Sequence, residues 1–220
     1  MPPELRRLGL EEAAATLARG GVVIFPTETL YAIGCRADKA RACARIRTIK
    51  GRPGGSPLPL LACDRAQAAR AVCLDAVPEG LPAAFWPGPL SLLLPALPAV
   101  AAEARNDAGL AALRVTSHPL AARLAQRAGF ALTASSANFS GGRPAARAED
   151  LDPALLLALA REGRDVGLLV AADSEEEPRG GPPSTLAEPV RVPDGFALRL
   201  LREGAVSAKA LAAAGFPVLP

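Results

Sequence analysis

Two basic residues beside a glycine-rich turn are the first candidates for chemistry in this 220-residue sequence. Lys50, one of only three lysines, and Arg52 leave a predicted helix and enter the loop at residues 53–57. A compact ammonium, a planar guanidinium and free backbone N–H groups together favour a polyphosphate ligand. The same cations could instead only stabilise the negative end of the helix dipole. The Walker and GxGxxG fingerprints of common nucleotide sites do not occur in the sequence.

The second candidate is a polar segment at residues 133–142 (TASSANFSGG), which follows a predicted apolar strand. Its short hydroxyl and amide side chains are rigid donors and acceptors that could hold phosphate oxygens or a small polar substrate. The same residues could also form only a hydrogen-bonded turn. The sequence lacks a GxSxG motif, and its single histidine, His118, lies well upstream, so a serine nucleophile is not predicted.

Apolar periodicity predicts the elements that must position these groups. Leu10, Ala14 and Leu17 recur at helical spacing, and the apolar run 22–25 predicts a buried strand. Further helices are predicted at 38–50 (capped by Asp38), 64–74, 119–128 and 151–161, and further strands at 58–62, 90–94, 110–115, 130–134 and 166–171. This irregular alternation favours an α/β sandwich with a mixed sheet. The stretch 173–184 is expected to be an exposed, mobile loop, followed by a strand and a final helix.

Composition excludes several classes of protein. The net charge of +3 argues against a strongly basic nucleic-acid surface, and the Arg-rich face of residues 36–52 is typical of a solvated helix. Four cysteines without a CxxC pair favour small buried thiols in a reducing cytoplasm, with no metal site. Prolines interrupt the uncharged stretch 80–102, so no membrane span is expected. The charged N-terminal segment is not typical of a signal peptide.

Seven motifs, taken together and in order, resemble the YrdC-like family of L-threonylcarbamoyladenylate synthases. They are residues 23–34 (VIFPTETLYAIG), 50–58 (KGRPGGSPL), 85–90 (FWPGPL), 113–119 (LRVTSHP), 136–141 (SANFSG), 184–185 (ST) and 201–204 (LREG). The resemblance covers residues 8 to 210, which implies that residues 1–220 form one YrdC-like domain. It also implies the family's fold, a twisted mixed-sheet α/β sandwich with a large basic concave cavity.

The resemblance implies an activity as well. Members of the family convert L-threonine, bicarbonate and ATP into L-threonylcarbamoyladenylate and pyrophosphate, for the threonylcarbamoyl modification of adenosine 37 in tRNA. A cytoplasmic nucleotidyltransferase is therefore expected, with ATP as substrate and Mg²⁺ held mainly by the phosphates. Its expected partners are the downstream tRNA threonylcarbamoyl-transfer proteins, and RNA binding is possible.

Site residues are carried over motif by motif, and Lys50 and Arg52 are the expected catalytic pair. The resemblance assigns ATP binding to Lys50, Arg52, Ser56, Arg114, Ser136, Asn138 and Arg202. It assigns threonine binding to Thr29, Ala134 (through its backbone) and Ser184. It assigns no residue to a metal ion.

Some positions depart from the family's usual pattern. Leu61 stands where many members have histidine, Leu110 where threonine is common, and Ala145 where serine is usual. The segment 31–35 (YAIGC) is similar to the YciO-like paralogues. The alternative is therefore a YciO-like paralogue, or a module that binds double-stranded RNA or nucleotides without threonine-dependent turnover. The carbamoyl-transfer module of hydrogenase-maturation proteins is disfavoured, because its accompanying acylphosphatase and zinc-finger domains do not fit in this length.

Overall fold

Two mixed β-sheets organise the computed structural model, which describes residues 4–51, 56–173, 176–193 and 195–219. The strands within these ranges are β1 (Val22–Pro26), β2 (Tyr31–Gly34), β3 (Leu60–Ala62), β4 (Leu90–Pro95), β5 (Leu110–Val115), β6 (Leu132–Thr133), β7 (Ser135–Ser136), β8 (Val166–Leu168), β9 (Thr185–Val192), β10 (Gly195–Arg202) and β11 (Val218–Leu219). The smaller sheet has the order β7-β2-β1-β8, and the larger sheet has the order β11-β10-β9-β4-β5-β3-β6. Both sheets contain parallel and antiparallel neighbours, which confirms the predicted mixed-sheet α/β fold.

The helices pack on these sheets and bury their apolar faces. Within the same ranges they are α1 (Leu10–Ala18), α2 (Ala40–Ile49), α3 (Arg65–Ala68), α4 (Leu81–Phe85), α5 (Pro119–Ala128), α6 (Pro153–Ala160) and α7 (Ala208–Ala213). Leu17 of α1 and Leu124 of α5 join Phe25 of β1 in one buried cluster, whereas Ile24 lies in a second cluster with Ile46 of α2. Strand β1 is therefore covered on both faces, which is why its sequence is continuously apolar.

The chain crosses from the larger sheet to the smaller one at a single residue, Ala134. Strand β6 ends at Thr133 in the larger sheet and β7 begins at Ser135 in the smaller one. Gly34 of β2 makes this crossing possible, because a Cβ atom there would lie only 1.9 Å from the carbonyl oxygen of Thr133. The polar segment that follows the crossing is thereby placed in the angle between the two sheets.

Several elements differ from the sequence-based expectation. Asp38 does not cap α2, because its carboxylate forms an ion pair with Arg36. The helix predicted at 64–74 ends at Ala68, although Asp64 does cap it by accepting a hydrogen bond from the backbone N–H of Gln67. Strands β2 and β7 were not expected, and the single strand predicted after residue 184 is the hairpin of β9 and β10.

The thiols and the uncharged stretch largely follow the prediction. Cys35 and Cys43 are buried with their sulfur atoms 3.5 Å apart, whereas Cys63 and Cys73 are half-buried. The stretch 80–102 forms the short helix α4, a turn and strand β4. Within the part of the chain that the structure describes, no helix has the length and apolar character needed to cross a membrane.

Candidate functional site

A cavity of about 130 Å³ opens in the angle between the two sheets. Its walls come from the β1–β2 turn, β5, the crossing between β6 and β7, and the two ends of the β9–β10 hairpin. Six predicted site residues line it: Thr29, Arg114, Ala134, Ser136, Ser184 and Arg202. These residues are spread over more than 170 positions of the sequence, and only the fold brings them together.

The β1–β2 turn presents Thr29 to the cavity. Thr27 closes the turn, because its hydroxyl donates to the carbonyl oxygen of Leu30 at 2.7 Å and its N–H donates to the same oxygen at 3.2 Å. Gly180, in the loop that leads to Ser184, donates its N–H to the carbonyl oxygen of Thr29 at 2.9 Å. The described part of this loop, residues 176–184, is thus attached to the turn, so the expectation of a simply exposed loop is only partly right.

Arg114, on β5, is a buried cation with a buried partner. Its Nε donates to Oε1 of Glu28 at 2.8 Å, and the two side chains are only 5% and 7% exposed. The hydroxyl of Thr116 donates to Oε2 of the same carboxylate at 2.6 Å. Burial alone would raise the pKa of Glu28, but the charge of Arg114 and the hydrogen bond from Thr116 lower it below its ordinary value. Glu28 is therefore ionised at neutral pH.

Arg202 brings a second guanidinium to the same cavity. Its Nη2 donates to the carbonyl oxygen of Ser184 at 2.7 Å. Burial and the nearby charge of Arg114 lower the pKa of Arg202, so the two arginines repel each other. The close approach of the two chain segments requires Gly204, since a Cβ atom there would lie 2.1 Å from the carbonyl oxygen of Pro183. This arrangement suits an anion that interacts with both guanidinium groups.

Lys50 lies behind the cavity wall and is not one of the residues that line the cavity. Its ammonium donates to the carbonyl oxygen of Ser136 at 2.5 Å and to that of Asn138, and the residue is 3% exposed. Ser140 in turn donates its N–H to the carbonyl oxygen of Lys50 at 3.0 Å. The end of α2 and the segment 136–140 are therefore joined as one unit.

Two other predicted ATP contacts lie outside the cavity wall, and one cannot be placed. Asn138 is 6% exposed, and its Nδ2 donates to the carbonyl oxygens of Phe139 and Gly142. Its Oδ1 is buried and receives no hydrogen bond from the residues that the structure describes. Ser56 is half-buried and does not line the cavity. Arg52 lies outside the described residues.

Three of the departures from the family pattern lie outside the cavity lining, whereas Tyr31 and Ala32 of the segment 31–35 belong to it. Leu61 is fully buried in the smaller core cluster, and Leu110 is half-buried at the start of β5. Ala145 is also buried, and its carbonyl oxygen accepts a hydrogen bond from the N–H of Tyr31. Neither leucine contributes to the cavity wall, so these two changes do not alter its lining.

Sequence reasoning missed Glu28, Thr116 and Ser91. Glu28 is the only charged residue between positions 20 and 35, which is the signal that could have identified it. Ser91 is 2% exposed, and its hydroxyl lies 3.1 Å from the hydroxyl of Ser184. No local pattern indicates that pairing, because β4 and the start of β9 become neighbours only in the larger sheet.

The structure also bears on the expected metal chemistry. The described residues contain no group of three or more His, Cys, Asp and Glu side chains that could hold a metal ion. The enclosed volume of about 130 Å³ is smaller than the pockets of about 300–1,000 Å³ that hold drug-sized ligands. The large basic cavity that the resemblance implies therefore stays a prediction.

Comparisons with known proteins identify the family of this chain. The family model Sua5_yciO_yrdC, described as "Telomere recombination", matches residues 15–204. A threonylcarbamoyl-AMP synthase of Stenotrophomonas maltophilia (strain K279a) is 37% identical over 158 residues, which cover 70% of this chain and 85% of that protein.

Solved structures share the same fold. P. abyssi Sua5 complexed with L-threonine superposes with a TM-score of 0.76 and 27% identity, over 96% of this chain and 59% of that one. E. coli YciO superposes with a TM-score of 0.68 over 94% of this chain and 95% of that one, but it is only 19% identical and supports the fold alone. The match over residues 15–204 covers most of the sequence, and the chain therefore belongs to the Sua5/YciO/YrdC family.

Proposed function

We propose that this chain joins L-threonine, bicarbonate and ATP into L-threonylcarbamoyladenylate and releases pyrophosphate. The observation that carries this proposal is the convergence of Arg114, Arg202 and Ser136 with Thr29 and Ser184 on one cavity. Family membership and the 37% identity to a threonylcarbamoyl-AMP synthase support the same activity. E. coli YciO shares only 19% identity, which makes a YciO-like role the weaker alternative.

The reaction needs orientation and charge stabilisation more than it needs a nucleophilic side chain. The amine of threonine captures carbon dioxide, supplied by bicarbonate, and forms a carbamate. A carbamate oxygen then attacks the α-phosphorus of ATP, the bond between the α-phosphorus and its bridging oxygen breaks, and pyrophosphate leaves. Negative charge grows on the phosphoryl oxygens during this step, and fixed cations stabilise it. We assign that task to Arg114 and Arg202, which both line the cavity.

We assign the cavity between the two sheets to threonine and its carbamate. Thr29, Ser184 and the backbone of Ala134 line it and offer short polar contacts for a small amino acid. The carboxylate and the carbamate of the bound substrate are anions, and they suit a cavity with two guanidinium groups. The cavity volume of about 130 Å³ fits a ligand of this size better than a whole nucleotide.

ATP then extends from the cavity towards the end of α2. Ser136 belongs to both regions, because its residue lines the cavity while its carbonyl oxygen accepts from the ammonium of Lys50. We assign the triphosphate to Lys50, Arg52, Ser56 and Asn138 on this side, and the unpartnered Oδ1 of Asn138 fits a donor from the ligand or its water. Mg²⁺ is expected to be carried mainly by the phosphates.

The reactivity of the product determines what kind of reaction must follow this one. A mixed anhydride of a carbamate and a phosphate reacts readily with water, so it must pass quickly to an acceptor. We therefore propose a cytoplasmic protein that hands the product to a tRNA threonylcarbamoyl-transfer protein. RNA binding by this chain itself would involve the arginines of α2, of which Arg41 is exposed, whereas Arg45 is half-buried and paired with Glu162.

The test is pyrophosphate release from ATP with threonine and bicarbonate supplied separately and together. Release is expected only when both are present, and other amino acids should support less of it. Glu162→Gln, which removes an ion pair remote from the cavity, serves as a control variant with unchanged rate. Release without threonine, or none with all three substrates, would contradict the proposal. Tight RNA binding that weakens steeply with salt would then favour the binding module.

A further inference from the structure

A buried carboxylate that the proposed chemistry does not use lies next to Thr29 in sequence. Glu28 is 8% exposed and is not one of the residues that line the cavity. Its two oxygens have separate donors, since Oε1 accepts from Nε of Arg114 and Oε2 accepts from the hydroxyl of Thr116. Burying a carboxylate is costly unless it is paired and hydrogen-bonded, and these two donors are what allow Glu28 to stay ionised here.

The contact uses only one edge of the Arg114 guanidinium. Its Nε is bound to Glu28, while Nη1 and Nη2 make no hydrogen bond to any residue that the structure describes. Arg114 nevertheless lines the cavity. A guanidinium presents its donors in a rigid plane, so fixing Nε also fixes the direction of both terminal nitrogens. The terminal nitrogens are therefore the ones offered to a ligand.

The hydroxyl that holds the other carboxylate oxygen is itself oriented. The backbone N–H of His118 donates to the Thr116 oxygen at 3.2 Å, so the Thr116 hydroxyl is left to donate to Glu28. The imidazole of His118 caps α5, because Nδ1 accepts from the N–H of Ala121 at 3.3 Å. The carboxylate is thus tied through Thr116 to the start of a regular helix.

The second arginine explains why a carboxylate is needed here. Arg202 lines the same cavity, and burial together with the positive charge of Arg114 lowers its pKa. Without a negative partner, two mutually repelling guanidinium groups would share a buried site, and Arg114 would turn away from Arg202. Glu28 offsets one of the two charges without occupying the space that the substrate needs.

We propose that Glu28 is a positioning residue, which holds Arg114 by Nε so that its terminal nitrogens face the anionic centre of the reaction. This inference rests on the proposed function for the identity of that anion. Glu28 contacts no substrate atom and transfers no proton. It acts through Arg114, so its effect on turnover must vanish when Arg114 is absent.

The test is a double-mutant cycle on kcat and KM for pyrophosphate release, with Glu28→Met, Arg114→Ala and the combined variant. Glu28→Met keeps the side-chain size and removes both acceptors, and it should lower kcat about 100-fold, the loss typical of a misplaced catalytic group. In the Arg114→Ala background the same change should alter kcat by less than about twofold, because the two residues act as a unit. If the combined variant instead loses kcat by the product of the two single losses, the residues act independently and the proposal is overturned.

Glu28→Gln is the conservative variant that should restore most of kcat. It also replaces Glu28→Met in the test if that variant does not fold. Its amide oxygen can still accept from Nε of Arg114, so kcat should recover to within about tenfold of the wild type, roughly the strength of one hydrogen bond. If Glu28→Gln lowers kcat as much as Glu28→Met does, the proposal is overturned. Glu188→Gln, which breaks the exposed pair with Arg199, is the matched control and should leave kcat unchanged.

The same cycle distinguishes this inference from the proposed function. If the wild type releases no pyrophosphate with threonine and bicarbonate, the proposed function fails. The coupling between Glu28 and Arg114 is then measured on the Kd for ATP by calorimetry. A Kd raised by Glu28→Met only when Arg114 is present supports the positioning role, and independent effects overturn it.

Discussion

The two sides of the site hold their cations in different ways. On the cavity side, Arg114 is bound by the Glu28 carboxylate through one edge and offers its other nitrogens to the cavity. On the other side, the ammonium of Lys50 contacts the carbonyl oxygens of Ser136 and Asn138 and stands outside the cavity wall. In the first arrangement the cation lies in the cavity wall, and in the second the cation also fixes the segment 136–138 beside the proposed triphosphate site.

This difference follows from the chemistry of the two groups. A guanidinium has a planar set of five donors, so one donor can be anchored while others remain for a ligand. An ammonium is a point charge with three donors on a flexible stem, and carbonyl oxygens readily orient it. Substituting the two residues should therefore damage different steps of the reaction.

The largest effect is expected at Arg114. Arg114→Ala should lower kcat/KM about 10²- to 10³-fold, as loss of an electrostatic donor typically does. It should also lower the free energy of unfolding by about 3–5 kcal/mol, since Glu28 is left as a buried charge without its partner. Steady-state kinetics and urea unfolding measure the two effects. Full activity of Arg114→Ala would show that Arg114 does not bind the substrate, and the proposed difference between Arg114 and Lys50 would fail.

Lys50→Met should give the next largest effect, with a different signature. Loss of the charged hydrogen bonds to the segment 136–138 should raise the KM for ATP about 10- to 100-fold. The KM for threonine should change much less, because the threonine contacts lie on the other side of the cavity wall. Equal changes in both KM values would contradict the division of the site.

The pH dependence of the free energy of unfolding tests the contacts that hold Arg114, which run through Glu28 and Thr116 to His118. Burial lowers the pKa of His118 below its ordinary value of 6.5, so the unfolded chain binds this proton more readily than the folded protein. Stability should therefore fall as the pH drops below about 6.5, by up to about 1.4 kcal/mol per pH unit. Glu28 has a lowered pKa, and its contribution is lost only at lower pH, below about 4.5.

His118→Asn separates these two contributions. Asparagine is a good N-cap residue, so α5 should keep its first turn while the titrating imidazole is removed. Thermal melting from pH 7 to pH 5 should show a flatter profile in this variant, whereas the decline below about pH 4.5 should remain. An unchanged slope between pH 7 and pH 5 would show that His118 does not control this range.

Ser91→Ala should have the smallest effect. It removes the hydroxyl 3.1 Å from the Ser184 hydroxyl, and the KM for threonine should rise about 2- to 10-fold, the value of one neutral hydrogen bond. The KM for ATP and the melting temperature should stay nearly constant. A larger change in the KM for ATP than in the KM for threonine would contradict the assignment of Ser184 to threonine.

Local sequence patterns predicted the parts of the fold that local physics controls. The apolar periodicity of α1, α5 and β1 fixes which faces are buried, and the structure has these elements within a few residues of their predicted ends. Short strands such as β2 and β7 escaped prediction, because segments of two to four residues carry no clear period. The ordered motifs identified most of the cavity lining, but Glu28 and Ser91 were missed because their partners are distant in the chain.

The sequence by itself determined the family, the buried strands and the residue types available for anion binding, since these follow from motif order and hydrophobic pattern. Only the tertiary structure decided that Arg114 and Arg202 line one cavity, that Glu28 binds the first of them, and that Lys50 lies outside the cavity wall. The physical reason is that orientation comes from contacts between segments far apart in sequence. A local sequence pattern can show that a residue such as Glu28 is unusual, but it does not show which distant residue is its partner.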